Sequence, residues 1–134
     1  MKSHIAYITR EQLGGAPSRV NSLAARAGNT IYCAGQTGRD PKTREIKPGI
    51  RAQTLAAFDN VERVLRAAGA TLDDVVRYTI YLAREQDSSD LMAILQEKFQ
   101  SRVPPPITIV VVKALAMPDI LVEIEPTAVV RDGN

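Results

Sequence analysis

The sequence predicts an α+β fold: a six-stranded mixed sheet with two helices grouped against one of its faces. Three observations lead there. Gly49 to Ala68 has the period of a helix, because Ile50, Thr54, Phe58, Val61, Leu65 and Ala68 recur at three- and four-residue steps. Val75 to Ala83 (VVRYTIYLA), Ile107 to Lys113 and Ile120 to Ile124 are rich in β-branched residues and read as strands. The order is strand, hairpin, helix, strand, helix, strand, strand, which suits helices laid on a mixed sheet through right-handed crossovers.

Taken in order, His4 to Ile8 is a short edge-strand candidate, and His4 is a surface residue there. Glu11 to Asn21 holds Gly14-Gly15 and Pro17 and reads as a loop of the length that often borders a site. Ser22 to Ala27 and Thr30 to Gly35 flank Gly28-Asn29 as a hairpin with a two-residue connection that suits positive backbone angles. The second strand runs out through Tyr32-Cys33-Ala34-Gly35-Gln36, and a glycine at a strand end lets a ligand or another backbone come close. Thr37 to Pro48 is then an exposed loop.

On the helix from Gly49, Leu55 and Val64 widen the apolar stripe, while Arg51, Asp59, Glu62, Arg63 and Arg66 occupy the other side. Gly69 stops it. Asp73-Asp74 lead into the Val75 strand. Ser88 and Ser89 offer caps for a second helix, Asp90 to Ser101, whose Leu91, Leu95 and Phe99 repeat every fourth residue beside Ile94. Pro104-Pro105-Pro106 forbids its continuation and delivers the chain extended into Ile107. Met117-Pro118-Asp119 breaks the last two strands apart. In the second of these Val122 and Ile124 share one face, and Leu121, Glu123 and Glu125 the other. A mid-strand Glu123 is by default a solvent-facing carboxylate.

The chain has 134 residues, enough for one domain with one core. It has no Trp, so Val, Ile, Leu and Ala must build that core. Its net charge is +2 and its basic residues are scattered along the sequence, which leaves a nucleic-acid partner unsupported. One cysteine, no charged-then-apolar leader within Met1 to Arg10, and no apolar run long enough to span a bilayer together predict a cytoplasmic protein with no membrane contact. One His and one Cys give no set of soft metal ligands. Two helices cannot cover six strands on both sides, yet Ile107 to Val112 is apolar on both parities. The uncovered face is therefore expected to meet another copy of the chain.

Gly28-Asn29 ahead of Ile31-Tyr32-Cys33-Ala34-Gly35-Gln36, a helix ending Val64-Leu65-Arg66-Ala67-Ala68-Gly69, and the closing Val122-Glu123-Ile124-Glu125 together resemble the Rid family, also called the YjgF or L-PSP endoribonuclease family. The likeness runs roughly from Ser22 to Val130. It implies a chorismate-mutase-like fold, a homotrimer whose sheets form a central barrel, and small-molecule clefts between subunits, with no cofactor. The family's best-described activity is hydrolysis of reactive enamines and imines made by pyridoxal-phosphate enzymes, which releases ammonia and a 2-oxo acid. That chemistry needs a carboxylate anchor, a proton source and a positioned water.

Carried over position by position, Gly35 matches the glycine whose backbone lines the cleft, Gln36 continues its motif, and Glu123 matches the acidic residue near the reacting centre. The family's anchoring arginine is replaced by Ile107. Its cysteine two residues on is Ile109, its tyrosine before the hairpin is Asn21, its second-helix asparagine is Ala93, and its serine before the glycine is Ala34. Loss of a charged bidentate contact costs on the order of ten- to a hundredfold in affinity for an α-carboxylate. Neither Arg102 nor Lys113 is placed to stand in, whereas Arg10 or Arg39 could reach in from a loop.

Three functional classes follow. In a hydrolase of altered specificity, Glu123 handles protons and Ile107, Ile109 and Tyr81 make an apolar pocket. In a non-catalytic trimer, the same cleft binds a small metabolite or a protein. Ribonuclease activity lacks a basic patch with interleaved aromatics. Cys33 is either a small buried hydrophobe or a thiol at the cleft.

Overall fold

The computed structural model describes residues 4–131, so Met1 to Ser3, the start of the stretch read as leaderless, lie outside it. Six strands, β1 (Ile5–Ile8), β2 (Ala24–Ala27), β3 (Thr30–Cys33), β4 (Val75–Leu82), β5 (Ile107–Val111) and β6 (Val122–Val129), form a single sheet in the order β1-β2-β3-β6-β4-β5. Only the β4–β5 pair is parallel; the others are antiparallel. Two helices, α1 (Ile50–Ala67) and α2 (Ser88–Lys98), join β3 to β4 and β4 to β5. This is the predicted α+β architecture.

The core lies between α1 and one face of the sheet. Ile31, Ile80, Leu82, Val122, Ile124 and Ala128 are fully enclosed there, with Phe58, Val61 and Leu65 of α1 above them. Phe58 and Tyr78 meet edge to face at 5.7 Å between ring centres, and Phe99 joins them. In β6 the alternation expected from Val122 and Ile124 continues to Ala128, while Glu123, Glu125 and Thr127 stay half-buried on the other face.

β6 runs on to Val129, five residues past the predicted Ile124, and passes through Pro126. A proline in a central strand is tolerated only where a ladder bond is missing. Here Tyr32 pairs with Thr127 and Gln36 with Ile124, so three residues, 33–35, stand opposite two, 125–126. This bulge removes β3 from the place where the Pro126 nitrogen would have had to donate.

Four further readings change. Leu55, assigned to the stripe of α1, is exposed, and the buried polar residue Gln53 takes its place. α2 begins at Ser88, with Asp87 before it; no side-chain cap bond forms, and the buried Asp87 instead takes two bonds from Arg84 at 2.8 and 2.9 Å. Of the hairpin residues Gly28 alone adopts positive φ. β5 is an edge strand, and Val110 and Val111 are exposed within one chain, so the expected cover on both faces is not supplied by this subunit.

Gln53 explains how the Ala114 to Leu121 segment is held. Its Nε2 donates to the Asp119 carbonyl and its Oε1 accepts from the Leu121 N–H, both at 2.8 Å. The buried amide thus does the work of a short strand for a segment that has none. Gln53→Leu leaves both backbone groups unpaired and should cost about 2–4 kcal/mol in urea denaturation.

Candidate functional site

The bulge that accommodates Pro126 also brings β3 and β6 together at one point. Gln36 and Ile124 exchange backbone bonds, each at 2.8 Å. Gly35, just before this pair, lies against the Glu123 side chain: a Cβ there would stand 2.7 Å from Glu123 Cγ and Oε1. Only glycine leaves room for the carboxylate in this position. Burial, and secondarily the neighbouring Glu125, push the Glu123 carboxyl above its ordinary range.

Glu123 forms part of the wall of an open cavity of about 530 Å³. Asn21, Ala34, Gly35 and Gln36 line the same cavity. Cys33, Ala93, Ile107, Ile109 and Tyr81 do not. Cys33 is buried among core residues and does not line the cavity, and burial pushes its thiol up to about 12. Ala93 is exposed on α2.

Ile107 and Ile109 pair with Tyr78 and Ile80, whose side chains face the helices, and both pack against the core. Tyr81 pairs with Glu123 and so shares its face, opposite to theirs. An apolar pocket made by Ile107, Ile109 and Tyr81 of one chain is therefore not formed, because strand parity sends the isoleucines and the tyrosine to opposite sides of the sheet. The Tyr81 hydroxyl instead donates to Glu125 Oε1 at 3.0 Å, and that bond, ahead of desolvation, raises its pKa.

The two loop arginines raised as stand-ins, Arg10 and Arg39, both line the cavity, joined by Arg44 and Arg63. Arg102 is engaged elsewhere, with Asp73 at 2.6 Å, and Lys113 is exposed beyond the end of β5. The loop carrying Arg39 and Arg44 is seated on α1. Asn60 Nδ2 donates to the Thr37 and Arg39 carbonyls, both at 2.8 Å. Gly38 lies so close to α1 that a Cβ would come within 2.6 Å of the Gln53 carbonyl oxygen.

Asn60, Arg63, Arg44 and Gln53 were not found from sequence. Asn60, Arg63 and Val64 fall on one helical face beside the apolar stripe, and that spacing was the available signal. Arg44 follows Lys42-Thr43 in a loop with no pattern to mark it. Among the described residues no group of three or more His, Cys, Asp or Glu could hold a metal ion. No described helix is long and apolar enough to cross a membrane.

A family model described as endoribonuclease L-PSP matches residues 15–130. A RutC family protein of Pyrococcus horikoshii is 38% identical over 108 residues, covering 80% of this chain and 84% of that one. A 2-iminobutanoate/2-iminopropanoate deaminase of Dermatophagoides farinae is 37% identical over 84 residues, covering 62% of this chain and 66% of its own. A crystal structure of a Rid family protein of unknown function from Yersinia pestis superposes with a TM-score of 0.83 at 29% identity, over 94% of this chain and 99% of that one. RidA from an Antarctic Psychrobacter gives 0.74 at 34% identity, over 87% and 93%.

Two outcomes follow from the Gly35–Glu123 contact. Gly35→Ala should displace the carboxylate toward water at small cost in stability, since the obstructing atoms belong to a flexible side chain, and an NMR titration should find the Glu123 pKa moved down toward about 4.3. Because the folded-state pKa is raised, ionisation of Glu123 costs stability as pH rises through that value. Glu123→Gln should therefore raise Tm relative to wild type at neutral pH, with the gain vanishing below about pH 4.3, where both states are protonated.

Proposed function

The chain belongs to the Rid family, also known as the YjgF or L-PSP endoribonuclease family, and from that premise we propose that it hydrolyses a reactive imine or enamine of a small 2-amino acid. The observation that carries this reading is the Glu123 carboxylate held over Gly35 at the cavity wall, with its pKa raised by burial.

A carboxylate whose pKa is raised is a better base than a solvated one. Water adds to C2 of the protonated imine while Glu123 takes the proton that water loses. The same proton then passes from Glu123 to nitrogen, and the C–N bond of the carbinolamine breaks as its hydroxyl becomes the carbonyl and gives its proton to the departing ammonia. Ammonium and the 2-oxo acid leave, and Glu123 returns to its starting state.

The substrate carboxylate needs a cation, and Ile107 offers none. We assign that role to Arg10 and Arg39, which line the same cavity from the loops after β1 and β3. A guanidinium presents paired N–H donors to a carboxylate and stays charged, so it can serve from a loop as it would from a strand. The specificity should differ accordingly, since the anchor approaches from another side.

We further propose that the working form is a homotrimer and that a second copy completes the cleft. The face of the sheet away from the helices leaves Tyr32, Val110 and Val129 exposed, and apolar side chains there call for cover. The reading of a non-catalytic binder draws on the isoleucine at position 107 and makes a different forecast. A binder is stabilised in thermal shift by compounds it does not consume.

The discriminating assay generates imines in place from small and from bulky apolar amino acids and follows ammonia release. Turnover is expected, and Glu123→Gln should lower kcat/KM by about 10²- to 10⁴-fold. The acid limb of the wild-type profile should lie above the ordinary carboxylate range, because Glu123 must be ionised to act. An unchanged rate in Glu123→Gln would remove it from the chemistry, and no release from any amino acid would favour the binder.

A further inference from the structure

The cavity carries more positive charge than one substrate carboxylate can use. Arg10, Arg39, Arg44 and Arg63 line it, against the single carboxylate of Glu123. None of these four guanidiniums forms an ion pair among the described residues, whereas Arg51, Arg66, Arg84 and Arg102 each do. All four of these ion pairs lie away from the cavity.

The gathering is built into the backbone. Arg39 bridges Ile46, the Asp40 N–H donates to the Glu45 carbonyl at 2.8 Å, and the Arg44 N–H donates to the Asp40 carbonyl at 2.9 Å. Asp40 Oδ1 accepts from the Lys42 and Thr43 N–H groups at 2.8 and 2.9 Å, closing the loop tip on itself. Within this loop Arg44 has φ of 67°, and among the described residues no other non-glycine has positive φ. Such conformations are disfavoured for a side chain with a Cβ, and they collect at ligand clamps.

Arg10 is held just as firmly, its carbonyl accepting from the Leu13 and Gly15 N–H groups at 3.0 and 2.8 Å. Burial, and then the like charges of Arg39 and Arg10, press the Arg44 guanidinium below its ordinary range. Like charges fixed at close quarters repel one another until an anion sits among them.

We propose that the natural ligand is a small 2-imino acid with a second anionic group, a carboxylate or a phosphate, and that Arg44 with its neighbouring guanidiniums selects for that second charge. This rests on the reading of the cavity as the substrate site and narrows its substrate class. A monoanionic ligand engages Arg10 and Arg39 and leaves Arg44 and Arg63 without a counter-charge; a second anionic group supplies one.

Calorimetric titration with stable 2-oxo and related acids tests it without turnover. 2-Oxobutanoate supplies one anionic group, 2-oxoglutarate two carboxylates, and phosphoglycolate a carboxylate and a phosphate. At least one dianion should bind about tenfold or more tightly than 2-oxobutanoate, and the tighter of the two identifies the second group. Arg44→Gln should bring that ratio close to one, with Arg63→Gln as the alternative if Arg44→Gln does not fold. Arg66→Gln, which removes a surface charge paired with Glu62, should leave the ratio intact.

A wild-type ratio near one overturns the proposal, as does a ratio that Arg44→Gln leaves unchanged or Arg66→Gln lowers equally. Failure of imine hydrolysis with the ratio preserved would sink the catalytic reading and keep this one. Hydrolysis of monocarboxylate imines without dianion preference would do the reverse.

Discussion

The approach of the end of β3 to β6 is the constraint from which the site follows. Gln36 and Ile124 lock the two strands by reciprocal bonds, and the bulge between them lets Pro126 occupy a central strand. In that geometry Gly35 must be glycine, because the space its side chain would take belongs to Glu123. The same packing that places the carboxylate also removes it from water, which sets its pKa. Position and chemistry share one cause.

α1 supplies the second support, through polar residues where a surface helix ordinarily spends apolar ones. Gln53 completes the hydrogen bonding of the segment before β6, and Asn60 holds the carbonyls of the loop after β3. Both loops border the cavity, so the helix that builds the core also fixes the cavity walls. Thr54 shows the limit of this economy: its hydroxyl is buried with no hydrogen-bond partner among the described residues.

Electrostatically the cavity contrasts with the rest of the molecule. Elsewhere Arg51, Arg66, Arg84 and Arg102 are each paired with an acid. At the cavity, guanidiniums accumulate around one half-buried carboxylate whose protonation is itself favoured. The cavity thus joins a positive local charge to one carboxyl whose protonation burial favours.

The helix of α1, the β-branched runs, the alternation of β6 and the α+β class were all legible in the sequence, because each depends on the spacing of apolar residues along a short stretch of chain. Gly35 and Glu123 were legible through family likeness, since their mutual contact requires those two residue types. Strand parity was legible in principle, yet it corrected the pocket drawn from Ile107, Ile109 and Tyr81 only once the β4–β5 register was known. Arg10 and Arg39 were named in the sequence as able to reach in from a loop, but their convergence with Arg44 and Arg63 was not legible. Arg10, Arg39, Arg44 and Arg63 are spread over more than fifty positions and look scattered. They converge only because Asn60, Gly38 and the bulged end of β3 fold distant loops onto α1. Charge along a chain is additive, but the field in a cavity depends on which charges tertiary contacts bring within reach of one another.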